Sequence, residues 1–236
     1  MYTYRMTTSG LRFCHWIIAG CIIILFVTGL YIGNPGFIGN QGNEPTIAVS
    51  QFFSMENIRF IHFSTAAIFG TALLLRFYLL FTYPGNRFFP DPRKRSYWRG
   101  LLEMAAFYTM IKSHHRTYLR SPFAATAYVA AYVLMAIELV TGLAMFAMIK
   151  PNSFLAALVM PINSWLGNEF MTHVVHHVVA WCFFLFLITH VYLVIFNDVT
   201  EKNGELSSIV SGRKRFSEQP VDALDVLVVD EKNRNN

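Results

Sequence analysis

The sequence predicts an all-α integral membrane protein, a bundle of four transmembrane helices. Three observations carry that prediction. Hydrophobic residues make up 54% of the chain and charged residues only 14%, well under the roughly 25% charged typical of a soluble domain. The charges are segregated, so that long apolar stretches alternate with short charged ones. Finally, crossing a bilayer as a helix takes about 20 mainly apolar residues, and four stretches meet that length.

The first span is expected at 13–33. It follows Arg5 and Arg12 and so resembles a signal peptide, but it is uncharged from Phe13 to Ile32 and lacks a small-residue cleavage site. It reads as a retained helix. The second span is expected at 58–82 and carries Arg76; the third, at 122–148, carries Glu138; the fourth is expected at 170–196. Between the second and third, residues 100–111 read as a short helix lying in the membrane interface, with Pro84, Pro90 and Pro92 breaking the chain before it. Residues 1–196 thus form the membrane domain, and the polar segment 197–236 a C-terminal tail. No internal repeat and no low-complexity segment is evident.

The flanks orient the bundle. Lys and Arg number two before the first span, eight between the second and third and six after the fourth, against Lys150 alone between the third and fourth and, between the first and second, only Arg59 at the edge of the second span. The positive-inside rule places both termini, the 84–120 loop and the tail in the cytoplasm. The net charge of +5 reads as this orientation signal, not as a nucleic-acid footprint. The three cysteines, Cys14, Cys21 and Cys182, lie in apolar stretches and form no CxxC or CxxCH. A disulfide framework, a zinc site and covalently attached haem are therefore not expected.

Histidines carry the chemistry. Ionisable groups inside a membrane are costly and usually functional, and imidazole is the usual axial ligand of a b-type haem iron. In the fourth span His176 and His190 are fourteen residues apart, about 40° around a helix and about 21 Å along it. They share a face at two depths, the outer and the cytoplasmic. His62, at the outer start of the second span, lies level with His176. His15, at the cytoplasmic start of the first, lies level with His190. This pairing predicts two haem b groups, an outer one between His62 and His176 and an inner one between His15 and His190. A single intramembrane histidine is often a packing or hydrogen-bonding residue; four at two matched depths are harder to explain that way. His173 and His177 are open between propionate, quinone and structural roles. His114 and His115 sit in a basic loop and read as solvated.

Arg12 and Arg76 lie where a propionate of the inner haem would be, and Arg59 where one of the outer haem would be; each is equally placed to snorkel to the interface. Glu138 is open between interhelical hydrogen bonding and proton transfer. Gly29 and Gly33 form a GxxxG, and Ala66 and Gly70 would let a flat ring approach the second span.

Five segments carry a family resemblance over nearly the whole chain. They are Arg12-Phe13-Cys14-His15-Trp16; Met55 to Phe63; Tyr97-Trp98-Arg99-Gly100; His176-His177 with Trp181 and His190-Val191-Tyr192; and Ile209-Val210-Ser211-Gly212-Arg213. Through them the sequence resembles the b-type cytochrome subunit of membrane-bound nickel–iron hydrogenases. The resemblance implies four helices and two b haems held by His15, His62, His176 and His190. It also implies a place in the bacterial inner membrane, with the hydrogenase small and large subunits as partners. Electrons would come from the iron–sulfur small subunit and pass to quinone, with quinone reduction placed near the inner haem. Asn197-Asp198 and Ala180 depart from the family's pattern, and neither is a proposed ligand.

Hydrogen activation is not expected on this chain, which has no thiolate cluster for nickel and no iron–sulfur motif. The cytochrome subunit of a formate dehydrogenase or thiosulfate reductase, and a stand-alone cytochrome b561, share the diheme pattern; the segments 55–63 and 209–213 favour the hydrogenase reading. A haem-free anchor or transporter leaves the matched histidines unexplained. Topology is directly testable: reporter fusions after residues 40 and 90 should report opposite compartments, the first outside and the second inside. The same compartment for both would break the four-span arrangement.

Overall fold

A computed structural model describes residues 2–33, 54–82, 89–149 and 151–222. In chain order it contains β1 (Tyr2–Arg5), α1 (Ser9–Gly33), α2 (Met55–Thr82), α3 (Arg95–Tyr108), α4 (Pro122–Ala147), α5 (Phe154–Val159), α6 (Pro161–Trp165), α7 (Glu169–Glu201), α8 (Glu205–Ser211) and β2 (Arg213–Phe216). Among the described residues four helices, α1, α2, α4 and α7, are long and apolar enough to cross a membrane, and they are the four expected spans. Their surfaces are apolar nearly all round, with Val27, Leu74, Val133 and Leu185 more than half exposed. That is the signature of a helix solvated by lipid. The chain is a multi-pass helical membrane protein.

It divides into two units, one of residues 9–82 and the other of residues 1–8 and 83–236. The first unit is the helix pair α1 and α2. Gly10 lets the start of α1 approach α2, since a Cβ there would stand 3.0 Å from a Leu79 methyl. At the same end Arg76 donates to the Leu11 carbonyl at 3.3 Å. At the other end Thr28 meets His62. The two helices therefore run antiparallel.

The second unit is built on α4 and α7. Pro122 opens α4 at a position where its missing N–H is no loss. Asn168 caps α7 by accepting from the Met171 N–H at 2.8 Å. The connection between α4 and α7 holds the two short helices α5 and α6, which sequence periodicity did not reveal. Ser153 caps α5, and Ala144, Ala147, Ala156 and Val159 pack into one small core. The buried Thr172 hydroxyl donates to Asn163 Oδ1 at 2.7 Å and ties α6 to α7.

The short helix before α4 starts at Arg95 and ends at Tyr108, earlier than the expected 100–111. Pro90 and Pro92 precede it as expected, and Pro84 lies outside the described residues. Trp98 and Leu102, one turn apart, are exposed on it, an apolar stripe suited to an interface.

Up to residue 222 the C-terminal segment packs back on the N-terminal residues and on the stretch ahead of α4. The fourth span continues past residue 196 to Glu201. Gly212 then takes a φ of +78°, ending α8 in a left-handed turn, and its carbonyl accepts from the Met6 N–H at 2.8 Å. β2 pairs antiparallel with β1, Tyr2 opposite Phe216 and Arg5 opposite Arg213. The Asp222 carboxylate accepts from the Leu119 and Arg120 N–H groups at 2.6 and 2.8 Å.

The expectation for His115 needs correction. Its Nε2 pairs with Glu201 Oε1 at 3.0 Å, and its side chain is 9% exposed; its ring packs on Phe107. The sequence gives no sign of this, because the partner lies at the far end of α7. His114 is exposed. The Glu201 hydrogen bond raises the His115 pKa above its ordinary 6.5, helped by the Arg116 carbonyl and the charge of Glu103 and opposed by burial. A raised folded value means that the pair stabilises the fold fully below the ordinary histidine value, and that the contribution is lost as pH rises through the raised one. Amide exchange around 199–203, corrected for intrinsic rate, should therefore quicken as pH rises above the ordinary histidine value of about 6.5. The Glu201→Gln variant should show no such dependence, and a flat profile in the parent protein would show that the pair does not hold this end of α7.

Candidate haem-binding site

Each unit carries two of the four candidate histidines, near opposite ends of its spans. In the α1–α2 unit, Thr28 Oγ1 lies 2.8 Å from His62 Nδ1. The same hydroxyl lies 2.7 Å from the Ile24 carbonyl one turn back. The next residue, Gly29, leaves room for the ring: a Cβ there would stand 3.5 Å from His62 Cε1. His15 is thirteen residues before Thr28, about 20 Å along the helix, and its ring meets Trp16 edge-on at 5.6 Å. Arg76 is fourteen residues after His62, about 40° around α2, and it reaches the end of α1 that carries His15.

The α4–α7 unit repeats this arrangement. Thr141 Oγ1 lies 2.9 Å from His176 Nδ1 and 2.7 Å from the Ile137 carbonyl. A Cβ on Gly142 would stand only 3.2 Å from His176 Cε1. Glu138, whose role the sequence left open, places Oε2 at 2.7 Å from the same Nδ1. Its Oε1 is buried without a hydrogen-bond partner among the described residues. His190 lies fourteen residues beyond His176, with its ring stacked on Phe186 at 5.7 Å and 11°. His173 and His177 stack on each other at 5.0 Å, and His173 is exposed.

Thr28 and Thr141 were absent from the expected site. A threonine in a membrane helix usually bonds its own backbone, and nothing marks one as facing a histidine. One signal did exist. Val-Thr-Gly-Leu occurs at 27–30 and again at 140–143, too short to register as an internal repeat. Of the arginines, Arg12 donates to Ser9 Oγ at 3.1 Å, and Arg59 is exposed at the start of α2.

These residues fit a haem. A carbonyl only accepts, so each threonine proton is directed to its own helix. Each threonine oxygen must then accept from the histidine, which places the ring proton on Nδ1 and the lone pair on Nε2. Nε2 with a hydrogen-bonded Nδ1–H opposite is the form of imidazole that coordinates iron.

Four apolar spans with histidines braced in this form define a membrane b-type cytochrome. The chain belongs to the family described as prokaryotic cytochrome b561, whose model matches residues 6–212. It is similar to proteins named probable Ni/Fe-hydrogenase B-type cytochrome subunit. The Cupriavidus necator protein is 30% identical over 92% of this chain and 88% of its own length. That of Bradyrhizobium diazoefficiens is 28% identical, over 92% and 86%. The Escherichia coli K12 protein, named for hydrogenase 1, is 28% identical, over 86% and 87%.

The two glycines differ in clearance, and this sets an expectation. Gly142→Ala should crowd the His176 ring and destabilise the protein by about 1–3 kcal/mol, the usual cost of overpacking. Gly29→Ala, with ordinary contact distance to His62, should cost clearly less. Thermal unfolding of the two variants in detergent checks the order, and equal stability would show that the α7 ring yields freely.

Proposed function

We propose that this chain is the diheme cytochrome b subunit of a nickel–iron hydrogenase. It anchors the enzyme in the bacterial inner membrane and passes electrons from the iron–sulfur small subunit to the quinone pool. The observation that carries the reading is the matched placement of histidines in the two units. His15 lies about 20 Å along α1 from the level of His62, and His190 about 21 Å along α7 from His176. That supports an outer iron site of His62 and His176 and an inner one of His15 and His190. The bound haems supply a one-electron relay across a low-dielectric layer about 30 Å thick.

This chain's own residues supply ligation, charge and shape. His62 and His176 offer Nε2. Arg76 and Arg12 stand at the level of His15 for the inner propionates, and Arg59 near that of His62 for the outer ones. Quinone reduction is assigned to the cytoplasmic side, near the inner pair. The relatives named as hydrogenase subunits favour this partner over formate dehydrogenase or a stand-alone cytochrome. Charge asymmetry supports cytoplasmic termini.

Substitution separates the two iron sites. His62→Ala and His176→Ala should each remove the outer haem, and His15→Ala and His190→Ala the inner one. In the assembled complex all four should abolish hydrogen-to-quinone electron transfer, while hydrogen oxidation with a soluble dye survives. Hydrogen should still reduce the haem left in the His15 variant, whereas the haem left in the His62 variant should stay oxidised. The reverse pattern would invert the topology or the entry point. Two haems retained in His190→Ala would remove that ligand and the shared-face argument.

A further inference from the structure

We propose that Thr28 and Thr141 are paired positioning residues that hold the Nδ1 side of His62 and His176 so that Nε2 is presented to iron, and that Glu138 strengthens His176 as a donor. The proposal rests on the assignment of these histidines as ligands of one iron.

The argument starts from proton counting. Thr28 has one hydroxyl proton, and its oxygen lies 2.7 Å from the Ile24 carbonyl. Two oxygens at that distance need a proton between them, and the carbonyl has none. Toward His62, 2.8 Å away, Thr28 is therefore an acceptor. Thr141 repeats this with Ile137 at 2.7 Å and His176 at 2.9 Å. The following glycine in each Val-Thr-Gly-Leu lets the ring close onto the hydroxyl. Both rings are thus fixed in tautomer and in rotation by contacts within the chain itself.

The two sites differ at the residue three before the threonine. In α4 it is Glu138, whose Oε2 lies 2.7 Å from His176 Nδ1. In α1 the equivalent residue is Leu25, whose side chain carries no carboxylate. A carboxylate on Nδ1–H pulls the proton outward and raises the electron density on Nε2. A stronger donor favours the more highly charged ferric state, which lowers the potential of that iron.

The test uses the full chain in complex with its hydrogenase, with haem content, electron paramagnetic resonance and redox titration at one pH as readouts. Glu138→Gln keeps the shape and an acceptor but loses the charge. Both haems should remain, with the potential of one raised. If the ferric preference falls about tenfold, the rise is about 59 mV, and the other haem should not move. An unmoved potential in both haems would overturn the role of Glu138. Thr141→Val should shift the resonance signal of that same haem or lose the haem, and Thr141→Ser should restore the parent signal. Equal behaviour of valine and serine would overturn the role of the hydroxyl. His176→Ala run in parallel isolates the underlying assignment: two haems retained there would defeat the ligand itself, whereas one haem lost there with Glu138→Gln silent defeats only this proposal.

Discussion

Much of the site depends on a threonine proton that never leaves its own helix. A membrane helix has no water with which to satisfy a hydroxyl, so the donor goes to the carbonyl one turn back. For Thr28 and Thr141 the consequence reaches further than the turn. With the proton fixed, each oxygen presents only lone pairs, and the histidine opposite can meet it in one way. Ring orientation and tautomer follow from an ordinary intrahelical bond. The orientation of each ring is thereby taken from the backbone, the most rigid element available.

The rest of the helix surfaces carry little of that specificity. They are apolar nearly all round because lipid is the solvent, and lipid gives no drive to bury one face over another. Helix pairs in such a setting are fixed by small residues and a few polar contacts. In the α1–α2 unit these are Gly10 against Leu79, Arg76 on the Leu11 carbonyl and Thr28 on His62. In the α4–α7 unit Thr141 and Glu138 on His176 do the same. The contacts that register the helices are thus largely those that orient the histidines.

The spans were legible because their signal is local, a length of apolar residues sufficient to cross a membrane; the four histidines were picked out as candidates by depth and by a fourteen-residue spacing on one helix. What was not legible depends on partners distant in sequence. His115 reads as a solvated loop residue until Glu201 arrives beside it. The 2–5 segment gives no sign of being a strand, because its partner among the described residues is at 213–216. Asp222 looks like a tail charge, yet it caps two N–H groups ahead of α4. Thr28 and Thr141 are the instructive omission. Threonine in an apolar helix carries no information alone, and the repeated four-residue string acquires meaning only once each copy is seen against a histidine. The hydrogenase-like segment 209–213 shows the reverse: its glycine was noted as a family mark, and the structure supplies the reason, a left-handed turn that carries the chain back to the N-terminus.

Glu138 sharpens the distinction between holding a fold and tuning a site. A buried carboxylate costs several kcal/mol in desolvation and is repaid only by a full set of partners. Here one oxygen shares a single ring N–H with a threonine, and the other has no partner among the described residues. The α1–α2 unit sets its histidine against the same Val-Thr-Gly-Leu with Leu25 in the equivalent place. The threonine is common to both units, and the carboxylate is not. What the carboxylate adds, and the threonine does not, is a charge set against Nδ1 of the imidazole. The same threonine–histidine contact is thus used twice, and a carboxylate joins it on one helix.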